Sequence, residues 1–381
     1  MTRRLAFVGL VVVAAAVAAI LLLTAGGNEA PSGASRSGGS GGAKESQSPQ
    51  HLTVVASGDL LIHGPVFQQA LSYGGNHYDF RPMFRRVASY VRRADLAICH
   101  VETPLRPGPP SGYPLFSTPM SLAGAVKATG WEVCDTASNH TLDAGQSGIN
   151  TTTRALDRAG VRHTGSYRSL AASRKLLMVN VKGVKVAFLA YSEMTNGHPL
   201  PHPWSENLAR PQRILADARR ARREGAQVVI VNVHWGPPEY MREPTPPQLR
   251  LARRLARSPD ITAIIGQGPH VVWPIRWMRG KPVVLSEGNL VSNQTAACCA
   301  PDAQDGILAV LRITVNDGRA RAERADYVPV WVRHPDFTVL PVGRALRSHL
   351  APAGDLVASY RRTVGRAGRS AHTQPDPRTL P

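Results

Sequence analysis

Residues 136–148 read Thr-Ala-Ser-Asn-His-Thr-Leu-Asp-Ala-Gly-Gln-Ser-Gly and lie between a strand-like run and a run that favours a helix. Asn139, His140 and Asp143 therefore lie where a strand gives way to a loop, the edge at which α/β sheets place their ligand sites. An Asn oxygen can bind a metal, and His can be a ligand or a proton donor near neutral pH. An Asp three residues further on can hold that imidazole in one tautomer. A plain polar turn is the alternative, since Asn, Asp, Ser and Gly all favour turns.

Strand-like and helical runs alternate from residue 51 onward, without an internal repeat. This alternation predicts the α/β class, with helices packed on the faces of a mostly parallel sheet. The clearest strand is 227–233, because it is rich in Val and Ile and ends in His-Trp-Gly. The other predicted strands are 52–56, 96–99, 131–135, 175–181, 185–191, 261–265 and 282–286, with short strands from there to about residue 333, and the predicted helices are 83–93, 122–129, 149–159, 211–224 and 248–256.

The chain is strongly basic, with 45 Lys and Arg against 26 Asp and Glu, a formal net charge of +19 over 381 residues. Such a balance favours anionic partners, whether nucleic acid, lipid headgroups or an acidic polymer. The sequence shows no nucleic-acid-binding motif and no interleaving of Arg with aromatic residues, so no nucleic-acid partner is expected. The hydrophobic content of 43% is ordinary for a folded domain and argues against a wholly disordered chain.

The four cysteines lack the paired spacing of zinc ribbons, so the sequence does not predict a structural zinc site. Cys99 and Cys134 lie in apolar strand-like runs and are predicted to be buried thiols. Cys298 and Cys299 are adjacent in a predicted loop, where they could pair with each other, pair elsewhere or stay free.

The N-terminal part is predicted to anchor the chain in the cell membrane. Residues 1–4 form a short basic cytoplasmic tip, and the uncharged apolar run 5–25 is close to the roughly 20 residues that span a bilayer. The rest of the chain would then be extracellular in a single-pass protein. A cleaved signal peptide, which would make the protein secreted, is the alternative, because small residues follow at 24–26.

Beyond the apolar run, composition predicts three further segments. Residues 26–50 are rich in Gly and Ser and are expected to be a disordered linker. Residues 51–335 carry the strand and helix patterns and are predicted to be the folded domain. Residues 336–381 are a C-terminal extension, expected to be disordered after about residue 369.

Candidate metal ligands follow five of the predicted strands by one to a few residues. Since parallel or mixed sheets bring such strand ends to one edge, these side chains are expected to lie together. Carboxylates, an amide oxygen and imidazoles suit one or two divalent ions such as Mn, Fe or Zn, and a pair of ions can activate water for displacement at phosphorus. Each residue also has a purely structural interpretation as a helix cap, ion-pair partner, core histidine or turn residue. The predicted ligands are Asp59, Glu102, Asn139, His234 and His270.

The same residues lie in short motifs that together resemble a known family. The motifs are Gly58-Asp59-Leu-Leu-Ile-His63, Val101-Glu102-Thr-Pro104-Leu, Ser138-Asn139-His140-Thr-Leu-Asp143-Ala-Gly145, His234-Trp235-Gly236 with Glu239-Tyr240, Gly266-x-x-Pro269-His270-Val, and Gly288-Asn289-Leu. In this order, over about residues 52–315, they are similar to the capsule synthesis protein CapA family, which is linked to poly-γ-glutamate and is similar in fold to calcineurin-like metallophosphoesterases.

The resemblance implies a four-layer αββα sandwich of the metallophosphoesterase type, with two sheets between helices. It also implies the metal ligands already named, with His140 as general acid or phosphate contact, oriented by Asp143. The expected function is capsule or poly-γ-glutamate biosynthesis or export, with metal-assisted hydrolysis or transfer if the protein is an enzyme. The expected partners are an anionic polymer such as poly-γ-glutamate, the membrane and a capsule synthesis complex.

Two positions depart from the family pattern. His100 stands where the family often has Asn, and Gly268 stands where the family usually has the first His of a His-x-His motif. Loss of that imidazole would weaken one metal subsite unless His100 or His63 replaces it. A non-catalytic, polymer-binding scaffold is therefore the alternative function, and a phosphatase or nucleotidase unrelated to capsule is a third.

Overall fold

The structure is a computed structural model and describes residues 48–368. The predicted anchor (5–25), nearly all of the predicted linker and the tail from residue 369 lie outside the described residues. In the described part of the chain, no helix is long and apolar enough to span a bilayer.

Strands and helices alternate through most of the domain, which confirms the predicted α/β class. The strands are β1 (Gln50–Leu60), β2 (Leu96–Val101), β3 (Leu105–Arg106), β4 (Thr118–Pro119), β5 (Val133–Asp135), β6 (Arg162–Thr164), β7 (Leu177–Val181), β8 (Val184–Ser192), β9 (Val228–His234), β10 (Ala263–Gln267), β11 (Ile275–Met278), β12 (Lys281–Val284), β13 (Asn289–Val291), β14 (Asp305–Asn316), β15 (Arg319–Arg333) and β16 (Thr338–Pro341). The helices are α1 (Gly64–Gly74), α2 (Arg81–Phe84), α3 (Ala88–Val91), α4 (Ser121–Thr129), α5 (Gly145–Ala159), α6 (Leu170–Ser173), α7 (Pro211–Arg223), α8 (Pro246–Ala256), α9 (Val342–Arg347) and α10 (Ala353–Ala367).

The first sheet is built around β1. Its order within residues 48–368 is β16-β15-β14-β1-β2-β5-β6, with β13 also paired to β1. β1 runs parallel to β2 and β13 and antiparallel to β14. Leu52 and Val54 of β1 pack toward the second sheet, whereas Val55 and Leu60 pack against helices. Both faces of this strand are therefore buried, as in the centre of an α/β sheet.

The second sheet has the order β11-β12-β10-β9-β8-β7 in the same described span. Its central strands β8, β9, β10 and β12 are parallel, and the edge strands β7 and β11 are antiparallel to their neighbours. Parallel strands in sequence order require crossover helices, and α7 and α8 provide the two between β8 and β10. The carboxyl ends of β8, β9 and β10 therefore share one edge.

Three large hydrophobic cores separate the layers of the described domain. One joins the first sheet to helices α1–α5, the second lies between the two sheets, and the third joins the second sheet to α7 and α8. This gives the layer order helix, sheet, sheet, helix. Because strand ends of both sheets can meet at one edge, this arrangement allows one site to draw side chains from both.

Some predicted elements were wrong in extent. The predicted helix 83–93 is split into α2 and α3, because Val87 and Tyr90 donate to carbonyls three residues back in tight turns. α1, which has Pro65 in its first turn, was missed. Residues 305–333 form one long hairpin instead of short strands, since Asp317 and Gly318 both adopt positive φ, as a two-residue hairpin turn requires.

The cysteines form two disulfides. Cys99 and Cys134 are buried opposite each other on the neighbouring strands β2 and β5 and are joined, so the prediction that they are buried is confirmed and the prediction that they are thiols is wrong. Cys298 and Cys299 are joined to each other, and no cysteine of the described residues is free.

The predicted C-terminal extension contains ordered structure, because β16, α9 and α10 all lie within residues 336–368. α10 is tied to the sheet by Arg362, whose guanidinium donates to both carboxylate oxygens of Asp305 at 2.7 and 3.0 Å. The Asp305 side chain is almost fully buried. Burial raises the pKa of Asp305 to about 6, even though the arginine pulls it down.

Replacing Arg362 by Ala should destabilise the fold by about 1–3 kcal/mol near neutral pH, because a buried carboxylate loses its charged partner. The loss should shrink as the pH falls below about 6, since Asp305 then binds a proton and no longer needs a cation. Denaturant unfolding at the two pH values measures this. Arg361→Ala is the control, since Arg361 is an exposed neighbour on α10, and it should change stability by less than about 0.5 kcal/mol. A loss of stability that does not change with pH would contradict the conclusion that Arg362 acts by neutralising Asp305.

Candidate metal centre

Four of the predicted ligands, Asp59, Glu102, His234 and His270, meet at the edge where strands of both sheets end. Asp59 is at the end of β1, Glu102 follows β2, and Asn139 lies in the loop after β5, all from the first sheet. His234 ends β9, and His270 follows β10, both from the second sheet. All five side chains are buried.

Two groups of potential ligands share Asp59. Among the described residues, Asp59, His100 and His234 form one triad, and Asp59, Glu102 and His270 form the other, with the ligand atoms of each triad within 4.8 Å of one another. In the first, the Nε2 of His100 is 3.8 Å from Asp59 Oδ1 and 3.0 Å from the Nδ1 of His234. In the second, the His270 ring lies between Asp59 Oδ2, at 3.0 Å, and Glu102 Oε1, at 3.7 Å. If each triad held an ion, Asp59 would contribute to both sites.

Several buried side-chain oxygens of the predicted ligands lack hydrogen bonds. Within residues 48–368, no donor meets Asp59 Oδ1, either carboxylate oxygen of Glu102, or Asn139 Oδ1, although all are buried. A buried polar atom without a partner is costly, and a buried charge without one is more so. Carboxylate and amide oxygens beside imidazoles are donors that divalent ions of the Mn, Fe or Zn type accept. The residues present therefore fit a metal centre.

A second layer of side chains orients the imidazoles. The Nδ1 of His100 lies 3.2 Å from Asp135 Oδ2, which also accepts a hydrogen bond from the side-chain amide of Asn232. Asp135 thus holds His100 with Nε2 directed at Asp59 and His234, as carboxylates commonly do for metal-binding histidines.

Electrostatics in the cluster favour cation binding. Burial and the neighbouring imidazoles hold the pKa of His234 well below its ordinary value, so this ring is neutral and able to ligate. Burial raises the pKa of Glu102. For His270 burial acts in the opposite direction, but the Glu102 and Asp59 carboxylates outweigh it and raise the pKa. Without a cation the Glu102–His270 pair thus retains a proton, which a metal ion would replace on binding.

His140 and Asp143 lie together beside the two triads. The Nδ1 of His140 is 2.9 Å from Asp143 Oδ2, an oxygen that also accepts from the backbone N–H of Phe116. The Phe116 ring packs edge-on against His140 at 4.6 Å between centroids and also contacts His63. This arrangement fixes the Nδ1–H tautomer of His140 and leaves its Nε2 available for a proton transfer.

Backbone geometry excludes a side chain at position 268. Gly268 has a φ of +107°, and a Cβ there would lie 2.4 Å from the carbonyl oxygen of Trp235 and 3.2 Å from His234 Nε2. The imidazole that the family motif would supply is thus absent, and His100 lies against His234 in the first triad. His63 is outside both triads. Its Nδ1 accepts from the Asn293 N–H, and burial lowers its pKa to about 4.

Sequence reasoning named His100 only as a possible substitute and missed its partners Asp135 and Asn232. A strand-face argument could have found these residues, because His100 and Glu102 are two apart, as are Asn232 and His234. Asp135 ends β5, so the rule that identified Asp59 applies to it as well. Two further buried carboxylic acids nearby, Glu206 and Glu287, have pKa values raised by burial and were also missed.

The position of Asp59 depends on Gly58. A Cβ on Gly58 would lie 1.7 Å from the carbonyl oxygen of Gly288, the same oxygen that accepts from the Asp59 N–H. Gly58→Ala should therefore force β1 and the 287–288 loop apart and destabilise the fold by about 1–3 kcal/mol or more, measured by denaturant unfolding.

Gly124→Ala is the matched control for this change, because Gly124 is exposed on α4 and a Cβ there meets no neighbour within 4 Å. It should be neutral or stabilising by up to about 1 kcal/mol. Equal stability of the Gly58→Ala protein and the parent would contradict the close approach of these backbones.

Comparison with known proteins places these residues in a family. The family described as bacterial capsule synthesis protein PGA_cap matches residues 53–294. Capsule biosynthesis protein CapA of Bacillus anthracis is 26% identical over 256 residues, which cover 64% of this chain and 61% of that protein. A probable polyglutamine synthesis accessory protein of Mycobacterium tuberculosis is 29% identical over 182 residues, 44% of this chain and 47% of that protein. The match thus spans less than two thirds of either relative.

Among solved structures, the calcineurin-like phosphoesterase YfkN from Bacillus subtilis superposes with a TM-score of 0.48 and 12% identity, over 82% of this chain and 99% of that chain. A similarity of this size carries no inference about activity. The family match does support an assignment, because it spans more than half of the chain and contains all five predicted ligands. This chain belongs to the bacterial capsule synthesis protein family PGA_cap.

Proposed function

We propose that this protein acts in the biosynthesis or export of an anionic capsule polymer and uses a pair of divalent ions for hydrolysis or group transfer. The observation that carries the proposal is the pair of buried triads sharing Asp59, with carboxylate oxygens that no donor of the described residues satisfies. The mixed carboxylate and imidazole donors favour Mn, Fe or Zn over Mg or Ca, which prefer oxygen ligands alone.

Each residue of the centre has a proposed part in the chemistry. Bound to the two triads, the ions would supply Lewis-acid polarisation of the substrate and activation of water. As an imidazolium, His140 would donate the proton on its Nε2 to the leaving group and become the neutral Nδ1–H tautomer, which Asp143 holds in orientation. Asp135 keeps His100 directed at the shared carboxylate. Burial of these side chains keeps bulk water away and strengthens their electrostatic interactions.

We propose poly-γ-glutamate, or another acidic polymer, as the substrate or cargo. The names of the relatives, capsule biosynthesis protein in Bacillus anthracis and probable polyglutamine synthesis accessory protein in Mycobacterium tuberculosis, support a role in the synthesis of a capsule polymer. The net charge of +19 suits such a polymer. The apolar run 5–25 would hold the domain at the outer face of the cell membrane, where a capsule synthesis complex could include it.

A scaffold that binds polymer without catalysis is the second candidate, and Gly268 is the residue that favours it. This candidate is favoured if His100 does not replace the missing imidazole as a metal ligand. The number of bound ions tests whether His100 is a ligand, and substrate turnover tests whether the protein is a catalyst.

Metal content of the full-length protein should be two ions per chain after loading with Mn²⁺ or Zn²⁺ and removal of the excess. His100→Ala should retain one ion, because only the triad of Asp59, His100 and His234 loses a ligand. His77→Ala, which removes an exposed imidazole outside the triads, should retain both. Atomic emission spectrometry gives the counts. Unchanged stoichiometry in the His100→Ala protein would show that His100 is no ligand.

Turnover of a chromogenic phosphodiester tests the catalytic proposal. The parent should hydrolyse it, and His140→Ala should lower kcat by about 10²–10⁴-fold, the usual contribution of a general acid. Its metal content should stay the same, because His140 belongs to neither triad. Absence of turnover by a parent that carries two ions would favour the polymer-binding scaffold.

A further inference from the structure

A groove of about 480 Å³ lies outside the metal centre, between the loop after β9 and the C-terminal helix α10. Tyr240, Arg242 and Glu243 form one wall, and residues 300–302 with α10 form the other. The second wall lies beyond residues 53–294, the part that matches the family. The second wall is therefore a feature of the chain that the family match does not cover.

Arginines dominate the charge of this groove. Arg362 and Arg366 are neutralised by Asp305 and Asp302 respectively. Glu243, the remaining acidic residue of the lining, is paired with Arg276 on β11. In the described part of the chain, Arg242 and Arg361 make no ion pair, and both are exposed. Two guanidinium groups thus remain available to an anionic ligand in a groove whose other charges are paired.

The groove shares a wall with the metal centre. The Tyr240 ring lies 5.9 Å, centroid to centroid, from the ring of the candidate ligand His270. Two hydrogen bonds hold Tyr240 in place: its N–H donates to the carbonyl of Pro269, and its hydroxyl accepts from the side-chain amide of Gln294 at 2.7 Å. A chain lying in the groove would therefore pass Tyr240 beside the two triads.

We propose that this groove binds the carboxylates of an extended acidic polymer, through Arg242 and Arg361, next to the metal centre. Guanidinium groups suit carboxylates because they donate paired hydrogen bonds in a planar fork. Single-stranded nucleic acid is a poorer fit, since it needs a series of aromatic stacking surfaces. Tyr240 is the only aromatic residue lining this groove in the described structure, and its ring lies against His270. That the polymer is also the substrate rests on the proposed function, whereas binding does not.

Binding can be measured by fluorescence anisotropy with a labelled γ-glutamyl decapeptide and the full-length chain in a neutral detergent. The buffer contains EDTA, so that metal does not contribute. The double variant Arg242→Gln/Arg361→Gln should bind the peptide about fivefold more weakly or worse, as expected for loss of two exposed charge contacts. The matched control is Arg253→Gln/Arg254→Gln, which removes two exposed arginines of α8 outside the groove and should change affinity less than twofold.

Three outcomes would overturn the proposal: no binding by the parent, equal affinity of the groove variant and the parent, or equal losses in both double variants, which would indicate general charge attraction. Stronger binding of a single-stranded oligonucleotide than of the peptide would overturn the assignment to carboxylates. Because the buffer contains EDTA, the affinity for the peptide is measured without bound metal. Failure of the metal-centre proposal would therefore appear in metal content and leave this measurement unchanged.

Discussion

The arrangement of the two sheets depends on one buried carboxylate, Asp59, whose Oδ1 receives no hydrogen bond from the described side chains around it. Its side chain is fully buried, and it is shared by two triads that come from strands of both sheets. Burying an anion is costly unless partners are held at close range. The close approach of Gly58 to Gly288 fixes the position of Asp59 itself, and the carboxylate of Asp135 fixes His100, which faces Asp59.

Much of the site could be predicted because the ends of buried strands can be recognised in the sequence. An apolar, β-branched run that ends in Asp, Glu or His marks one edge of a parallel sheet, and this rule placed Asp59, Glu102 and His234 near one another. The rule could not predict which strand ends of the first sheet face which strand ends of the second sheet. The contact of Asn232 with Asp135 joins residues 97 positions apart in sequence and depends on how the two sheets pack.

For the fold as well, features set by neighbouring residues could be predicted, whereas contacts between residues far apart in the sequence could not. The α/β class followed from alternation of periodic runs, whereas the disulfide between Cys99 and Cys134 requires knowing that β2 and β5 are neighbours. The 305–333 hairpin is a different case: Asp317-Gly318 is a local turn signal that the sequence carries. The C-terminal extension is bound to the domain by an ion pair between distant residues, Asp305 and Arg362, which composition alone does not reveal.

Anomalous diffraction from crystals of the protein grown with MnCl₂ would locate bound ions at this edge of the sheets. Two manganese peaks are expected about 3.5–4 Å apart, the spacing usual for paired ions. Asp59 should lie between them, with His100 and His234 on one ion and Glu102 and His270 on the other. Fewer than two peaks at this edge, or peaks that Asp59 does not contact, would contradict the proposed pair of ions.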